Sequence, residues 1–439
     1  MSHSTAKVAV IGGGYAGMAA AVKLSEQGVS VTVFESAKQL GGRARGVFYQ
    51  NTQLDNGQHL LLGCYRQTLE LIAQVGGNLE ADFLNLPLHL ELHRQFSLRA
   101  PRLPAPLHVL IALFTASGIC FSSRLKAVGF MLEMRQRQFK IEQDVSVAKL
   151  LARFQQPKEL IEKLWEPLCI AALNTPLQKA SAQVFLNVLR DALNQSRSSS
   201  DMLLPRIDFT ALFPQRAVHY IEQRGGQVQL AAGVESVLEV GDKIELSGQF
   251  GSAIFDHVIC ATPPTVAAKL LRTLPALAES VNQIEALTQQ PIYTVYLQYP
   301  TIVKLPQAML GLHRCFSQWL FDKGQIANQH GLIAAVISAE GLHQGYSHEE
   351  LIQKVCAELK TELGIGEAPL WSKVIAEKRA TFSCAPNLNR PSQQTNLPNL
   401  YLAGDYTAGD YPATLEGAVL SGVRCAELVM ARANLSATS

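Results

Sequence analysis

Gly12, Gly14 and Gly17 form a G-x-G-x-x-G pattern, with Gly13 inside the same loop and Glu35 downstream. The first glycine of such a pattern allows a tight turn. The second lets a pyrophosphate approach the backbone, and the third lets a helix pack closely on a strand. Free N–H groups at the start of that helix then point at phosphate oxygens. A carboxylate closing the next strand accepts hydrogen bonds from ribose hydroxyls and disfavours a 2′-phosphate. These residues predict a dinucleotide site.

A second group of residues selects the dinucleotide. Gly41, Gly42 and Arg43 follow Glu35 closely. Gly42 permits another close backbone approach, and Arg43 can pair with a pyrophosphate. Near the other end of the chain, Gly404-Asp405 closes a short apolar run, and Thr414-Leu415-Glu416-Gly417-Ala418 opens a helical one. FAD is long and extended, so a chain can hold it at both ends. A helix N-terminus near Leu415 would favour negative charge on the flavin pyrimidine edge. FAD is the expected cofactor.

The elements that must position these residues are legible in outline. Residues 7–12 read as a strand, Gly14 to about Gly28 as a helix, and Val29 to Phe34 as a strand rich in β-branched residues. Such a β-α-β unit implies a parallel, buried sheet. Residues from about 86 to 204 are helical in pattern and punctuated by prolines, with an exposed turn expected at Arg197–Asp201. Strand signals return at 228–230, 234–240, 244–246 and 255–260, and a last strand at 400–403 precedes the final helix. The expected class is α/β: a Rossmann-type FAD-binding domain (GR2-like), an α+β substrate domain and a helical, membrane-contacting subdomain. The FAD-binding domain is expected from residues 1–85, 205–264 and 384–439. The helical part spans 86–204 and the substrate domain 265–383.

Composition narrows the function classes. Of 439 residues 48% are apolar and 17% charged, which suits a folded protein, and the net charge of +2 gives no electrostatic case for nucleic acid. The eight cysteines form no C-x-x-C pair, so no metal site is expected and the thiols read as reduced. Lys7 is followed by an apolar run too short for the core of a secretory signal, so a cytoplasmic protein is expected. Residues 107–121 are nearly all apolar yet shorter than a spanning helix needs. Two readings stay open: a buried core helix, or a helix dipped into one leaflet at the inner face of the cytoplasmic membrane. Arg124, Lys126, Arg135, Arg137 and Lys140 follow this run and could face anionic headgroups.

The two glycine motifs, Arg43, Gly404-Asp405 and Leu415-Glu416-Gly417-Ala418 together resemble the flavin amine oxidases and the carotenoid or phytoene desaturases. Three stretches narrow the resemblance: residues 54–65 around Asn56, Gly57, Gln58 and His59, residues 165–176, and residues 409–418 around Tyr411. With these the chain is similar to the squalene-associated flavoenzymes, the hydroxysqualene dehydroxylases of bacterial hopanoid synthesis. The resemblance implies that Asp405 contacts the flavin ribitol or pyrophosphate, that the backbone near Val234 meets the adenine, and that Asn56, Gly57 and Gln58 lie by the cofactor. It implies a long isoprenoid substrate, hydroxysqualene, reduced to squalene and water, and an electron donor that the sequence does not name.

Such a reaction needs a proton for the leaving hydroxyl. His59 and Tyr411 are the candidates, each set against a packing role. Arg190-Asp191 reads as a surface or hinge ion pair, and Trp165 as core or channel wall. The competing enzyme reading is oxidative, a desaturase or an amine oxidase. Thr414 stands where amine oxidases often place a cage tyrosine, which weakens the amine reading. A prenyl-lipid binder without redox chemistry would not need this set of cofactor residues.

Overall fold

In the computed structural model, which describes residues 6–437, β1 (Lys7–Ile11), α1 (Tyr15–Glu26) and β2 (Ser30–Phe34) form the β-α-β unit. Three later stretches add β3 (Gln227–Gln229), β4 (His257–Cys260) and β5 (Leu400–Leu402). All four pairings are parallel, in the order β3-β2-β1-β4-β5. Val8, Val10, Val33, Ile259 and Leu402 are fully buried, as continuous apolar runs in a covered parallel sheet should be. The first βα loop therefore lies at the C-terminal edge of the central strand, the usual ligand position in such sheets.

Four further helices matter for function: α2 (Arg66–Gln74), α3 (Leu107–Thr115), α4 (Phe121–Gln136) and α5 (Leu415–Ala437). Helix α5 crosses α1 closely because residue 422 is glycine. A Cβ there would lie 2.0 Å from the Ala16 carbonyl oxygen. The crossing brings both ends of the chain to one face of the sheet.

A seven-stranded sheet forms the second layer. Its long strand Gln289–Gln298 pairs antiparallel with Leu332–Ser338 and Trp371–Phe382. At its far edge lies a hairpin, His89–Leu92 with Phe96–Arg99. The helical pattern expected from about residue 86 thus begins only at α3. The alternation His89-Leu90-Glu91-Leu92 has the period of a strand. Arg197–Asp201 also departs from expectation. It is a tight turn whose Ser199, Ser200 and Asp201 are buried, because Gly63 and Cys64 donate their N–H groups to the Asp201 and Ser199 carbonyls.

The apolar run 107–121 is split between α3 and the start of α4. Val109, Ala112 and Leu113 face the core, where they join Phe130, Met134 and Trp165. Leu107, Ile111 and Phe114 share the opposite face and are 49%, 38% and 45% exposed; Phe121 beside them is 57% exposed. Among the described residues no helix is long and apolar enough to cross a membrane.

Candidate functional site

Gly14 precedes α1 and offers no side-chain cap, so the first N–H groups of the helix stay free. The loop is fixed from behind by Glu35. Its Oε2 accepts from the Gly13 N–H at 2.7 Å and its Oε1 from the Ala37 N–H at 2.8 Å. A carboxylate has about four acceptor positions, so Glu35 retains capacity for a ribose. Ala232 and Ala231 donate to the Glu35 and Ala37 carbonyls, which sets the strand starting at Val234 beside the acid.

The glycines divide into packing and cradle. A Cβ on Gly12 would meet the Ala261 carbonyl oxygen at 2.7 Å, and one on Gly17 the Gly12 oxygen at 2.0 Å. A Cβ on Gly14 would meet nothing nearer than the Gly42 Cα at 3.9 Å. Gly42 has φ +60° and faces Gly14 in turn. The two backbones therefore leave a gap that no side chain enters.

Arg43 extends from this gap toward the last part of the chain. Its guanidinium donates to Asp405 Oδ1 and to the Ala380 carbonyl, both at 2.6 Å. Burial works to lower the Arg43 pKa, but the Asp405 carboxylate outweighs it and the net direction is upward. Gly404 donates its N–H to the Ser421 hydroxyl on α5, tying Asp405 to that helix. Asn56 donates to the Arg43 carbonyl at 3.1 Å. Gly57 has φ +107°, a conformation that favours glycine. The next N–H, that of Gln58, donates to the buried Thr294 hydroxyl on the long strand of the second sheet. Gln58 Oε1 is buried without a hydrogen-bond partner.

His59 holds its Nδ1 3.0 Å from the Gly57 carbonyl and its ring against Phe209. A carbonyl only accepts, so Nδ1 carries the proton and Nε2 is left as an acceptor. Burial lowers the His59 pKa to about 4. Neutral imidazole in this tautomer accepts at its free nitrogen, which does not suit the acid role expected of it.

Tyr411 meets Tyr65 edge-on, with ring centroids 6.5 Å apart and planes at 82°. Burial, then the charge of Asp191, raises the Tyr411 pKa, which makes its phenol a weak acid. At the start of α5 the Thr414 hydroxyl accepts from the Gly417 N–H. Glu416 turns away to accept from the Gln67 N–H, the Thr68 N–H and the Thr68 hydroxyl. It supplies the cap that α2 lacks, since Tyr65 at the N-cap gives none. Tyr65 is thereby held next to Tyr411.

Sequence reasoning missed Tyr65 and the capping role of Glu416, because nothing local pairs residue 416 with residues 67–68. For Arg190-Asp191, expected as a surface or hinge ion pair, the carboxylate is buried, with Asp191 only 5% exposed.

The gap between Gly14 and Gly42, the free N–H groups of α1, the Arg43–Asp405 pair and the orphaned Gln58 acceptor fit a bound FAD. Residues 15–430 match the family of flavin containing amine oxidoreductases. The chain belongs to this family. It is an FAD-dependent oxidoreductase. The chain is 30% identical to a hydroxysqualene dehydroxylase of Rhodopseudomonas palustris, over 97% of this chain and 98% of that one. It is 26% identical to a zeta-carotene desaturase of Zea mays, over 95% of this chain and 82% of that one. In fold it is similar to a solved triple mutant of putrescine oxidase, with a TM-score of 0.76 at 16% identity over 98% of this chain and 99% of that one.

Proposed function

We infer that this flavoenzyme removes the hydroxyl of hydroxysqualene reductively and releases squalene and water. The observation that carries the reading is the 30% identity with a hydroxysqualene dehydroxylase across nearly the whole of both chains. The balance is one alcohol plus FADH2 giving one hydrocarbon, one water and FAD. Reduced FAD supplies the hydride when bound.

The chain's own residues do the rest. Gly14 and Gly42 would line the phosphate cradle, with Gly12, Gly13 and Gly17 holding its loop in place; Arg43 with Asp405 and Gly404 would hold the middle of the cofactor, and Glu35 with Val234 the adenosine end. Asn56, Gly57, Gln58, Thr414 and Leu415 surround the flavin end. His59 accepts a hydrogen bond from the substrate hydroxyl at Nε2 and so orients it. Tyr411 with Tyr65 forms the wall beside the reacting carbon. The apolar helices within 107–194 provide the channel for the hydrocarbon chains.

The substrate is lipid-soluble, and the exposed face of α3 and the start of α4 is the proposed docking surface at a membrane. Leu107, Ile111, Phe114 and Phe121 would bury apolar area worth about 1 kcal/mol or more each. Lys126, Arg135 and Lys140 are exposed along α4 and just after it, and each that reaches anionic lipid would add about 1 kcal/mol. On this reading the protein sits peripherally on the inner face of the cytoplasmic membrane.

The test is anaerobic incubation of photoreduced protein with hydroxysqualene, with product analysis. Squalene should form in step with flavin reoxidation. Flavin that stays reduced, with no squalene, would overturn the reading. The similarity to a zeta-carotene desaturase supports a second, oxidative reading. Oxidised protein bleaching on addition of a carotene, with a desaturated product, would favour it.

A further inference from the structure

Gly129 stands in the middle of α4, where a Cβ would meet nothing within 4 Å. A glycine inside a helix costs stability relative to alanine. Here no close approach and no positive φ requires one. What the glycine leaves is space. A groove of about 490 Å³ lies on this side of α4, lined by Leu125, Gly129 and Phe130 from the helix and by Phe154 from the segment after Arg153. Phe130 and Phe154 meet edge-on, with ring centroids 5.6 Å apart.

The polar groups along this groove already have partners. Gln156 donates to the Lys126 and Phe154 carbonyls at 3.3 and 3.2 Å and accepts from the Trp165 N–H at 3.0 Å. The Ser122 hydroxyl meets Cys120 Sγ at 3.1 Å, and Glu133 accepts from Arg137 at 2.7 Å. A peptide laid here would bury N–H and C=O groups with little to bond, which is costly. A hydrocarbon chain has no such groups. One charge is left over: the Lys126 amine reaches the Gln155 amide oxygen at 3.3 Å and not a carboxylate. The lining thus suits an apolar chain with an anionic head.

The groove also continues the docking face. Phe121, Leu125, Gly129 and Glu133 fall four residues apart and so form one row along α4. Phe121 and Leu125 are both exposed, and Phe121 packs edge-on against Phe114 of α3 at 5.6 Å. We propose that this groove holds one acyl chain of an anionic phospholipid, so that the protein grips single lipid molecules as well as resting on a bilayer. The inference rests on the membrane reading of α3 and is independent of the reaction.

Trp165 is a reporter beneath the groove. It is buried, and its ring lies 5.2 Å from that of Phe130. The other two tryptophans, Trp319 and Trp371, belong to the second sheet. Bromine on an acyl chain quenches an indole only at short range. FAD-loaded protein is therefore mixed with phosphatidylglycerol vesicles whose chains are dibrominated, and with unbrominated ones, and flotation is measured on both. Parent emission should fall on the brominated vesicles, and Trp165→Phe should remove that fall. Gly129→Leu fills the groove from a position with room for it. It should keep its FAD, melt no lower than the parent and still float, yet lose the quenching. A parent that floats without quenching, or quenching that survives in Trp165→Phe or Gly129→Leu, overturns the groove and spares the docking face. A parent that does not float overturns both. Quenching seen only with brominated squalene dissolved in unbrominated vesicles gives the groove to free hydrocarbon and overturns the lipid assignment. A Gly129→Leu protein that does not fold would mean that the space is not open, and this too overturns the proposal.

Discussion

Arg43 and Asp405 lie 362 positions apart in the chain and meet at 2.6 Å. The contact joins the loop after β2 to the loop after β5, on either side of the cradle. Asp405 is 8% exposed at its side chain and Arg43 31%, so the pair is partly screened. Removing the guanidinium leaves a buried carboxylate facing the proposed phosphate path. Arg43→Ala should therefore lose most of its FAD on purification. Asp405→Asn, which keeps an acceptor, should lose less. In a double-mutant cycle on thermal stability the two sites should couple by about 1–3 kcal/mol. Additive losses would mean that the pair is not a unit.

The glycines separate fold from binding. Gly14→Ala should fold with a melting temperature close to that of the parent apoprotein, since its Cβ enters open space 3.9 Å from Gly42. That same methyl group fills the cradle, so flavin content should fall sharply. Gly17→Ala places its Cβ 2.0 Å from the Gly12 carbonyl oxygen. It should lose stability by about 2 kcal/mol or more whether or not FAD is present. Melting curves of apo and loaded protein, with flavin content, check both.

How far the sequence revealed this architecture follows from the range of each signal. The β-α-β unit was legible because its glycines, its apolar strands and Glu35 act within a short stretch. Helix α5 was legible from Leu415 for the same reason. Glu416 capping α2 was not, because a cap supplied from another element leaves no spacing rule. Adjacent charges such as Arg190-Asp191 usually stay solvated, so a surface or hinge pair was the expectation, and the burial of Asp191 comes from the fold. His59 was a candidate proton donor by residue type alone, since an unperturbed imidazole titrates near neutrality. The Gly57 carbonyl and the burial that hold it neutral come from the fold.

The two faces of α3 give a third prediction. Leu107→Ser, Ile111→Ser and Phe114→Ser together should leave flavin content and melting temperature near the parent values, since these side chains already meet solvent. Flotation with anionic liposomes should drop by about tenfold or more, as several half-exposed apolar groups are lost at once. Leu113→Ser points into the core at 3% exposure and should instead destabilise the protein by about 2–5 kcal/mol. Unchanged flotation of the triple variant would remove the membrane from the proposed function.

The last prediction concerns His59 and pH. Its pKa is about 4 in the folded protein, against an ordinary value of 6.5. Between these values the unfolded chain binds more protons than the folded one, so stability rises with pH across that window. The contribution is complete above about pH 6.5 and is lost as pH falls toward 4. At pH 5 the loss relative to pH 7 is about 2 kcal/mol, an upper figure because His59 is only partly buried. His59→Gln keeps a donor for the Gly57 carbonyl and has nothing to titrate. Its melting temperature should therefore fall less than the parent's between pH 7 and pH 5. Turnover tests the same point from the other side. A neutral His59 that only accepts a hydrogen bond gives a rate that is level between pH 6 and 8, and His59→Gln should lower it without changing the profile. A parent profile with a step between pH 6 and 7 that vanishes in His59→Gln would restore His59 as the proton donor.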